Sequence, residues 1–230
     1  MKPRLAIEDV SKEFGRRQVL RNASVWAFPG EVTVLFGRNG EGKSTLLRCG
    51  LGLLPAEAGV TILDDLRARP PSLAALARRG RVFLPDRDLL ADRMPTRRQL
   101  QALLAAFPAA DVGPLDGPLA GALDRTPDAL SGGERRLLEV WFAEARNPSV
   151  LVADEPLRGL SPIIAEAVAG RLRTVARHGA AVLVTGHETR VLLEIVDHVV
   201  WMTGGTTHHL GDRAAALAHT QFRMNYLSNL

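Results

Sequence analysis

Cysteine and lysine are scarce in this sequence. Cys49 is the only cysteine among the 230 residues, so the chain cannot form an internal disulfide, which fits a reducing compartment. We expect Cys49 to be a small buried residue rather than a nucleophile. Lysine stands only at positions 2, 12 and 43, although lysine and arginine together number 29. Because arginine is the usual cation of this chain, Lys43 in the stretch FGRNGEGKST needs a specific explanation.

The sequence also lacks long apolar runs and long runs of one charge. No run approaches the roughly 20 apolar residues that a membrane-spanning helix needs. The amino-terminal segment MKPRLAIEDVSKEF has no apolar core of the kind found in signal peptides, so we expect the protein to stay in the cytosol. The net charge is +4, but 25 acidic residues are interspersed with the basic ones. This mixture predicts an ordinary solvated surface and no nucleic-acid partner.

Apolar residues make up 46% of the chain, enough for the core of one large α/β domain. Alternating apolar positions in 4–10 and 19–35 predict short antiparallel strands, interrupted at FGRRQ and at Pro29-Gly30. Apolar runs at 149–156 and 180–188 flank the helical stretch IIAEAVAGRLRTVARHG. This alternation predicts a parallel sheet with a right-handed crossover.

The middle of the chain, roughly 86–148, has a different character. Alanine and leucine recur there at helical spacing, interrupted by the Pro- and Gly-rich stretch FPAADVGPLDGPL. We therefore predict a helical subdomain inserted into one domain that spans 1–230. Farther on, VVWMTGGTTHHL predicts a hairpin that turns at Gly204-Gly205, and RAAALAHTQFRMNYL predicts a terminal helix. The predicted fold class is α/β, with a mostly parallel sheet, an amino-terminal antiparallel β part and the helical subdomain.

Lys43 belongs to a stretch that fits the phosphate-binding pattern G-x-x-x-x-G-K-[ST], between the strand-like EVTVLF and the helical KSTLLRCGLGLL. The order of strand, glycine loop and helix predicts that the α/β fold has a P-loop core. Glycines let backbone N–H groups converge on phosphate oxygens. Lysine reaches the β- and γ-phosphates as a compact charge that the planar fork of arginine would not replace. A glycine-rich turn that only caps a helix is the alternative. We predict that nucleotide phosphates are bound by Gly37, Asn39, Gly40, Gly42, Lys43, Ser44 and Thr45, and that Ser44 also gives its hydroxyl to Mg²⁺.

Two acidic residues follow the apolar run in SVLVADEP. Asp154 could hold Mg²⁺ through water, and Glu155 could polarise the water that attacks the γ-phosphate. Acids at the end of a strand also occur as simple caps of the next helix. Together with the glycine loop, however, the pair predicts hydrolysis of a bound nucleotide that depends on Mg²⁺, with Lys43 contributing to catalysis.

The stretch LSGGERR, residues 130–136, resembles the signature motif of ATP-binding-cassette (ABC) ATPases. The order of glycine loop, signature, DEP and later histidine matches that family across essentially the whole chain. The resemblance implies that Ser131, Gly132 and Gly133 bind the γ-phosphate of an ATP held by the loop of a second subunit. The chain has one copy of each motif, so the resemblance implies a second ABC ATPase subunit, identical or related, that completes two ATP sites.

Two further residues take roles from the resemblance. Phe14 in KEFGRR matches the aromatic residue that stacks on adenine, although an aromatic at a strand end is often only part of the core. His187 in VTGHE matches the histidine that touches the γ-phosphate. A lone histidine is more often structural, but its spacing after Glu155 and its place past an apolar strand favour the catalytic role.

The match departs from the family at three positions. Asp86 in FLPDRDLL stands where the family has a glutamine that contacts Mg²⁺ and water, so we expect a metal-contacting carboxylate that adds negative charge beside ATP. Ser161 in PLRGLSP stands where many members have an aspartate that communicates across the dimer. Glu134 stands in place of the commoner glutamine, which is a mild change. These changes bear on coupling and turnover rather than on ATP binding.

We therefore predict the ATP-hydrolysing subunit of an ABC transporter, peripheral on the cytoplasmic face of the inner (cell) membrane. Residues 86–100 would dock onto an integral membrane permease, which determines the cargo. The GLSP segment and the ending GDRAAALAHTQFRMNYL look similar to the ATPases of branched-chain amino-acid importers and of lipopolysaccharide export. Two alternatives stay open: a soluble ABC ATPase of assembly or repair, and a weakly hydrolysing regulatory half of a heterodimer, suggested by Asp86 and Ser161.

Overall fold

The computed structural model describes residues 1–64, 66–68, 73–86, 89–107, 110, 113–115 and 117–226. Its strands are β1 (Leu5–Phe14), β2 (Arg17–Ala27), β3 (Val32–Phe36), β4 (Ala58–Leu63), β5 (Leu66–Ala68), β6 (Arg81–Leu84), β7 (Val150–Ala153), β8 (Ala181–Gly186), β9 (His198–Thr203) and β10 (Thr206–Gly211). Its helices are α1 (Lys43–Gly50), α2 (Leu73–Arg78), α3 (Thr96–Ala106), α4 (Gly132–Ala145), α5 (Pro162–Arg177), α6 (Thr189–Ile195), α7 (Arg213–Ala218) and α8 (Thr220–Tyr226).

A sheet of six strands forms the centre of the fold, in the order β10-β9-β3-β8-β7-β6. All neighbours from β9 to β6 are parallel, and β10 is antiparallel to β9 at the edge. Every residue of β3, β7 and β8 is buried, because other elements cover both faces of the sheet. The parallel sheet predicted from 149–156 and 180–188 is confirmed, as is the hairpin that turns at Gly204-Gly205.

The second sheet is antiparallel, in the order β2-β1-β4-β5. The prediction of antiparallel strands is confirmed for β1 and β2 but wrong for the end of 19–35. Pro29-Gly30 turns the chain out of this sheet, and β3 pairs in parallel with β8 and β9. All five residues of β3 are buried, which suits the centre of a covered sheet and not one with a solvated face. β1 also continues to Phe14, so the turn is confined to Gly15-Arg16 and does not include all of FGRRQ.

Side chains at alternate positions of β3 enter two different cores. Phe36 joins a cluster with α4 and α5, whereas Leu35 joins a cluster formed by α1 and the antiparallel sheet. α1 therefore lies between the two sheets, with Leu46 fully buried. The packing there is close, since a Cβ on Gly50 would lie 2.3 Å from Ile7 Cδ1. This fixes the position of the helix that follows the glycine loop.

Between β6 and β7, the described residues form α3, α4 and three short 3-10 turns but no strand. The boundaries 86–148 of a helical subdomain within a single domain remain a prediction. The predicted terminal helix is divided into α7 and α8 at His219, whose backbone is extended. The Nδ1 atom of His219 accepts a hydrogen bond of 3.2 Å from the N–H of Phe222 and so caps the start of α8.

Candidate functional site

The carboxyl ends of four parallel strands meet at one edge of the central sheet. Phe36 of β3 pairs with Gly186 of β8, and Ala153 of β7 pairs with Leu84 of β6. In open α/β sheets, ligands bind in the crevice at this edge. From these four strands the chain passes directly into the glycine loop, His187, the Asp154–Glu155 pair and Pro85-Asp86.

The glycine loop after β3 needs its glycines for steric reasons. Gly40 and Gly42 have φ angles of 86° and 107°, which residues with a side chain rarely adopt. A Cβ on Gly42 would also lie 2.8 Å from Leu20 Cδ2, because the β1–β2 hairpin lies against the loop. A Cβ on Gly37 would lie 3.2 Å from the side chain of Lys43. α1 begins at Lys43, so the N–H groups of its first turn have no acceptor within the helix.

The side chain of Lys43 crosses back over the loop and is buried, with only 4% of the residue exposed. Its Nζ atom donates hydrogen bonds to the carbonyl oxygens of Gly37, at 2.7 Å, and Arg38, at 3.3 Å. It also lies 3.2 Å from Glu155 Oε1. The predicted phosphate ligand and the predicted catalytic carboxylate therefore form an ion pair across the site. Asn39, in contrast, lies exposed on the loop.

Asp154 is fully buried next to this pair. Its Oδ1 atom accepts hydrogen bonds from Ser44 Oγ, at 2.9 Å, and Thr185 Oγ1, at 2.7 Å. Its Oδ2 atom is buried and has no partner among the described residues. Burial raises the pKa of Asp154, against the opposing effect of the two hydroxyl hydrogen bonds. A buried carboxylate with a free oxygen beside a serine hydroxyl is a donor set that suits a hard divalent cation.

Glu155 has an unusual backbone, with φ at 43°. This conformation directs its N–H to Thr185 Oγ1, at 2.9 Å, and its buried side chain toward Lys43. Its second oxygen, Oε2, lies 3.9 Å from Arg158 Nε. Thr185 therefore fixes both acids, a role that the sequence reasoning missed. The available signal was a hydroxyl in an apolar, fully buried strand, because such a group needs a buried partner.

Arg136 and Glu139 on α4 were also missed as site residues. Arg136 is 7% exposed and donates to the carbonyl oxygens of Pro85, Pro156 and Asp154 at 2.7, 3.2 and 3.2 Å. Its Nη1 atom also lies 2.9 Å from Glu139 Oε2, and Glu139 is 3% exposed. This pair ties α4 to the segments that follow β6 and β7. The available signal was a pair of opposite charges three residues apart, next to the apolar residues that continue the helix.

Asp86 lies at the same edge, half-buried, with its Oδ1 atom 3.7 Å from Arg48 Nη2 of α1. Burial is the main cause of the raised pKa of Asp154, and the negative charge of Asp86 raises this pKa further. The cation of Arg48 acts in the opposite direction. The structure thus brings this departure from the family close to the buried aspartate and supplies it with a cation.

The signature residues have different surroundings. Ser131 is the N-cap of α4 and forms a reciprocal capping box with Glu134, and its hydrogen bonds lower the pKa of Glu134. Ser131 and Gly132 are exposed, and a Cβ on Gly132 would meet nothing within 4 Å. Gly132 and Gly133 line a pocket of about 410 Å³ together with Asp86, Glu155 and other residues. Among the described residues, no hydrogen bond joins the signature to the glycine loop of its own chain.

The remaining predicted residues are exposed or half-buried. Phe14 is 49% exposed at the tip of the β1–β2 hairpin, and Lys12 Nζ lies 5.3 Å from its ring centroid. The ring of His187 is exposed, with Nε2 3.5 Å from Glu188 Oε1. Ser161 occupies the N-cap position of α5 without a capping hydrogen bond from its side chain. Thr45 is half-buried in the first turn of α1.

Comparison with known proteins places this geometry in a family. Residues 20–158, which include the loop, the signature and both acids, match the model of the family described as ABC transporter. A probable ABC transporter ATP-binding protein of Azorhizobium caulinodans is 31% identical, over 97% of this chain and 82% of its own length. The chain belongs to the ABC transporter family.

Other members of the ABC family resemble the chain over nearly its full length. The lipopolysaccharide export system ATP-binding protein LptB of Acidithiobacillus ferridurans is 29% identical, over 98% of this chain and 97% of its own length. The solved structure of MJ1267, an ATP-binding cassette of an ABC transporter, has a TM-score of 0.83, covers 98% of this chain and 99% of its own, and is 24% identical. This structural likeness shows the shared fold and confirms the predicted fold class.

The chain is thus an ATP-binding subunit of the ABC transporter type, in a family of ATPases. Such subunits form dimers and act with membrane permeases. In the part of the chain that the structure describes, none of the helices combines the length and the apolar character needed to cross a bilayer.

Proposed function

We propose that this chain dimerises around two ATP molecules and drives a separate membrane permease from the cytoplasmic face of the membrane. The observation that carries the proposal is the division of the site into two parts. Lys43 and the acid pair lie together in a buried cluster beside the loop. Ser131 and Gly132 are exposed and, among the described residues, form no hydrogen bond with that cluster. A second subunit, identical or related, would supply its signature to this loop and receive this signature in return.

ATP would lie against the glycine loop at the strand edge. The compact Lys43 ammonium would exchange the carbonyl groups of Gly37 and Arg38 for phosphate oxygens, which carry full negative charge. Phe14 would stack on adenine, since its exposed ring lies on the hairpin that contacts the loop. The residues that hold the phosphates would be Gly37, Asn39, Gly40, Gly42, Lys43, Ser44 and Thr45.

Magnesium would be held by Ser44 and Asp154, with Asp86 near them. The unpartnered Oδ2 atom of Asp154 and the adjacent Ser44 hydroxyl support this assignment. The bound ion would offset the charge of the phosphates during transfer. Arg48 would balance the additional charge that Asp86 brings to the site.

Glu155 would orient the attacking water once Lys43 turns to the phosphates. Its strained backbone and the hydrogen bond from its N–H to Thr185 hold the carboxylate at the end of β7. His187, one residue past β8, would contact the γ-phosphate. Ser131, Gly132 and Gly133 of the second subunit would bind the same phosphate from the opposite side.

The permease would contact the surface around 86–100, within the proposed helical subdomain of 86–148. Leu89 and Met94 are exposed apolar side chains there, 38% and 45% accessible. Exposed apolar side chains in one segment support a docking surface there. Tagged Glu155→Gln protein should therefore recover a polytopic membrane protein from detergent-solubilised membranes in the presence of ATP. Recovery of soluble partners alone would support the assembly or repair alternative.

The catalytic part of the proposal is tested by the same substitution in purified protein. Glu155→Gln should abolish ATP turnover while ATP still binds, and should trap a dimer that size-exclusion chromatography detects. Glu166→Gln, an exposed glutamate on α5, is the matched control and should hydrolyse ATP at the normal rate. Normal turnover by Glu155→Gln would refute the role of Glu155. An inactive wild-type chain would support the regulatory alternative.

A further inference from the structure

Two residues that the phosphate-loop pattern leaves variable are each tied to the carboxyl-terminal part of the chain. Arg38 donates a hydrogen bond of 2.8 Å from Nη2 to Oδ1 of Asn225 on α8. On the other side of the loop, Glu41 Oε2 accepts a hydrogen bond of 2.6 Å from the N–H of Gly204, at the β9–β10 turn. Gly204 and Asn225 both lie outside the segment that matches the family model.

α8 is firmly anchored, so Asn225 is not a loose surface partner. Phe222 is fully buried, and its ring centroid lies 5.5 Å from that of Phe36, the residue directly before the loop. It also contacts Trp201 of β9, at 6.4 Å between centroids. Asn225 follows Phe222 by three residues, about one helical turn, and its Nδ2 atom donates to the carbonyl oxygen of Gln221 at 2.8 Å. The amide is therefore held in the orientation that receives Arg38.

We infer that the turn at Gly204 and helix α8, together called the C-terminal brace, hold the glycine loop in the shape that binds phosphate. The loop must keep several N–H groups convergent, and this order costs conformational entropy that external contacts can offset. The bonds of Arg38 and Glu41 restrain the loop on both sides of Gly40. Arg38, Glu41 and Asn225 are thus positioning residues, and this inference rests on the proposed nucleotide site.

The test is a double-mutant cycle on ATP affinity, measured by equilibrium dialysis with labelled ATP. Arg38→Ala and Asn225→Ala should each weaken binding about fivefold, the order expected for one net hydrogen bond. The double variant should bind no more weakly than either single variant, because both remove the same contact. In hydrolysis, KM should rise by a similar factor while kcat stays within about twofold.

Two further variants separate positioning from a general loss of structure. Asn225→Asp should retain full affinity, since its carboxylate accepts a charge-assisted bond from Arg38. Gln221→Ala should leave affinity unchanged, because only the backbone carbonyl of Gln221 takes part in the brace. The melting temperature of each variant shows whether it is folded, and a loss of affinity in proportion to melting temperature would overturn the inference.

The outcomes distinguish the brace from the proposed function. Unchanged affinity in Asn225→Ala, with wild-type protein that binds ATP, would overturn the brace alone. Tighter binding by Asn225→Ala would also overturn it, because Arg38 would then act as a phosphate ligand once released. A wild-type chain that fails to bind ATP would overturn the proposed function, and the brace with it.

Discussion

The two parts of the proposed nucleotide site differ in what surrounds them. In the loop part, Lys43 and Asp154 are 4% and 0% exposed, and Lys43 Nζ and Asp154 Oδ1 bond to other residues of the same chain. In the signature part, Ser131 and Gly132 are exposed, and the side chain of Ser131 accepts a hydrogen bond from the N–H of Glu134 within its own helix cap. One part is assembled inside the chain, and the other is open to the outside.

This difference follows from what each part must do. Electrostatic interactions with phosphates are stronger in a buried site than in water. They also cost less free energy when the charged groups are already held in place before the phosphates bind. On a surface that binds a second subunit, the polar groups must instead form hydrogen bonds with water and with local helix caps until the dimer forms. The comparison predicts that changes in the loop part alter binding and stability, whereas a change at the exposed Gly132 alters the activity of the dimer and leaves the monomer folded.

The largest expected effect is that of Lys43→Ala on ATP affinity. The substitution removes the cation proposed to bind the phosphates and leaves Glu155 buried without its ion pair. Loss of charge-assisted bonds predicts an affinity about 100-fold lower. Titration calorimetry of the monomer with ATP measures it. An affinity within threefold of the wild type would contradict the assignment of the loop as the phosphate site.

A smaller effect is expected for Gly132→Ala, on the open side of the comparison. The added methyl group meets nothing within the chain, so the monomer should fold and bind ATP normally. In a dimer it would stand between the signature and the partner's phosphate, and the ATPase rate should fall about tenfold or more. Gly170→Ala is the matched control, since this helical glycine also has open space around it. Equal rates for both variants would contradict an interface at the signature.

The loop part was largely predictable from sequence because its motifs are local. Gly37 to Ser44 occupy fixed spacings between a strand and a helix, and the acids follow an apolar strand directly. The parallel order of β7 and β8 was also predictable, since continuous apolar runs mark strands covered on both faces. The signature residues were predicted from the family resemblance. The structure adds the capping box with Glu134 that holds Ser131.

Other features depend on contacts between distant parts of the chain. Arg136 bonds to Pro85, 51 residues away, and Thr185 bonds to Asp154, 31 residues away, so no local pattern reveals either contact. Alternation in 19–35 suggested one antiparallel unit because the pattern does not tell which sheet a strand joins. The place of β3 in the central sheet becomes clear only from its pairing with β8 and β9.

Thr185→Val tests the loop part through stability rather than binding. The substitution keeps the size of the side chain but removes the donor to Asp154 and the acceptor of the Glu155 N–H. A buried polar group left unsatisfied predicts a loss of about 1–3 kcal/mol in the free energy of unfolding, measured by denaturant titration. Thr185→Ser keeps the hydroxyl and should retain most of that stability. Equal losses in both variants would show that packing, and not hydrogen bonding, matters at this position.

The smallest expected effect is an opposite pH dependence of stability in the two parts. The fold raises the pKa of Asp154 by burial, so its ionised form costs stability near neutral pH, and this cost disappears as pH falls through the raised value. The hydrogen bonds of Ser131 lower the pKa of Glu134, so its ionised form contributes stability near neutral pH that is lost as pH falls through the lowered value. At neutral pH, Asp154→Asn should therefore raise the melting temperature and Glu134→Gln should lower it, and both differences should shrink on acidification. The same sign for both variants would mean that the two carboxylates do not differ in surroundings as the comparison requires.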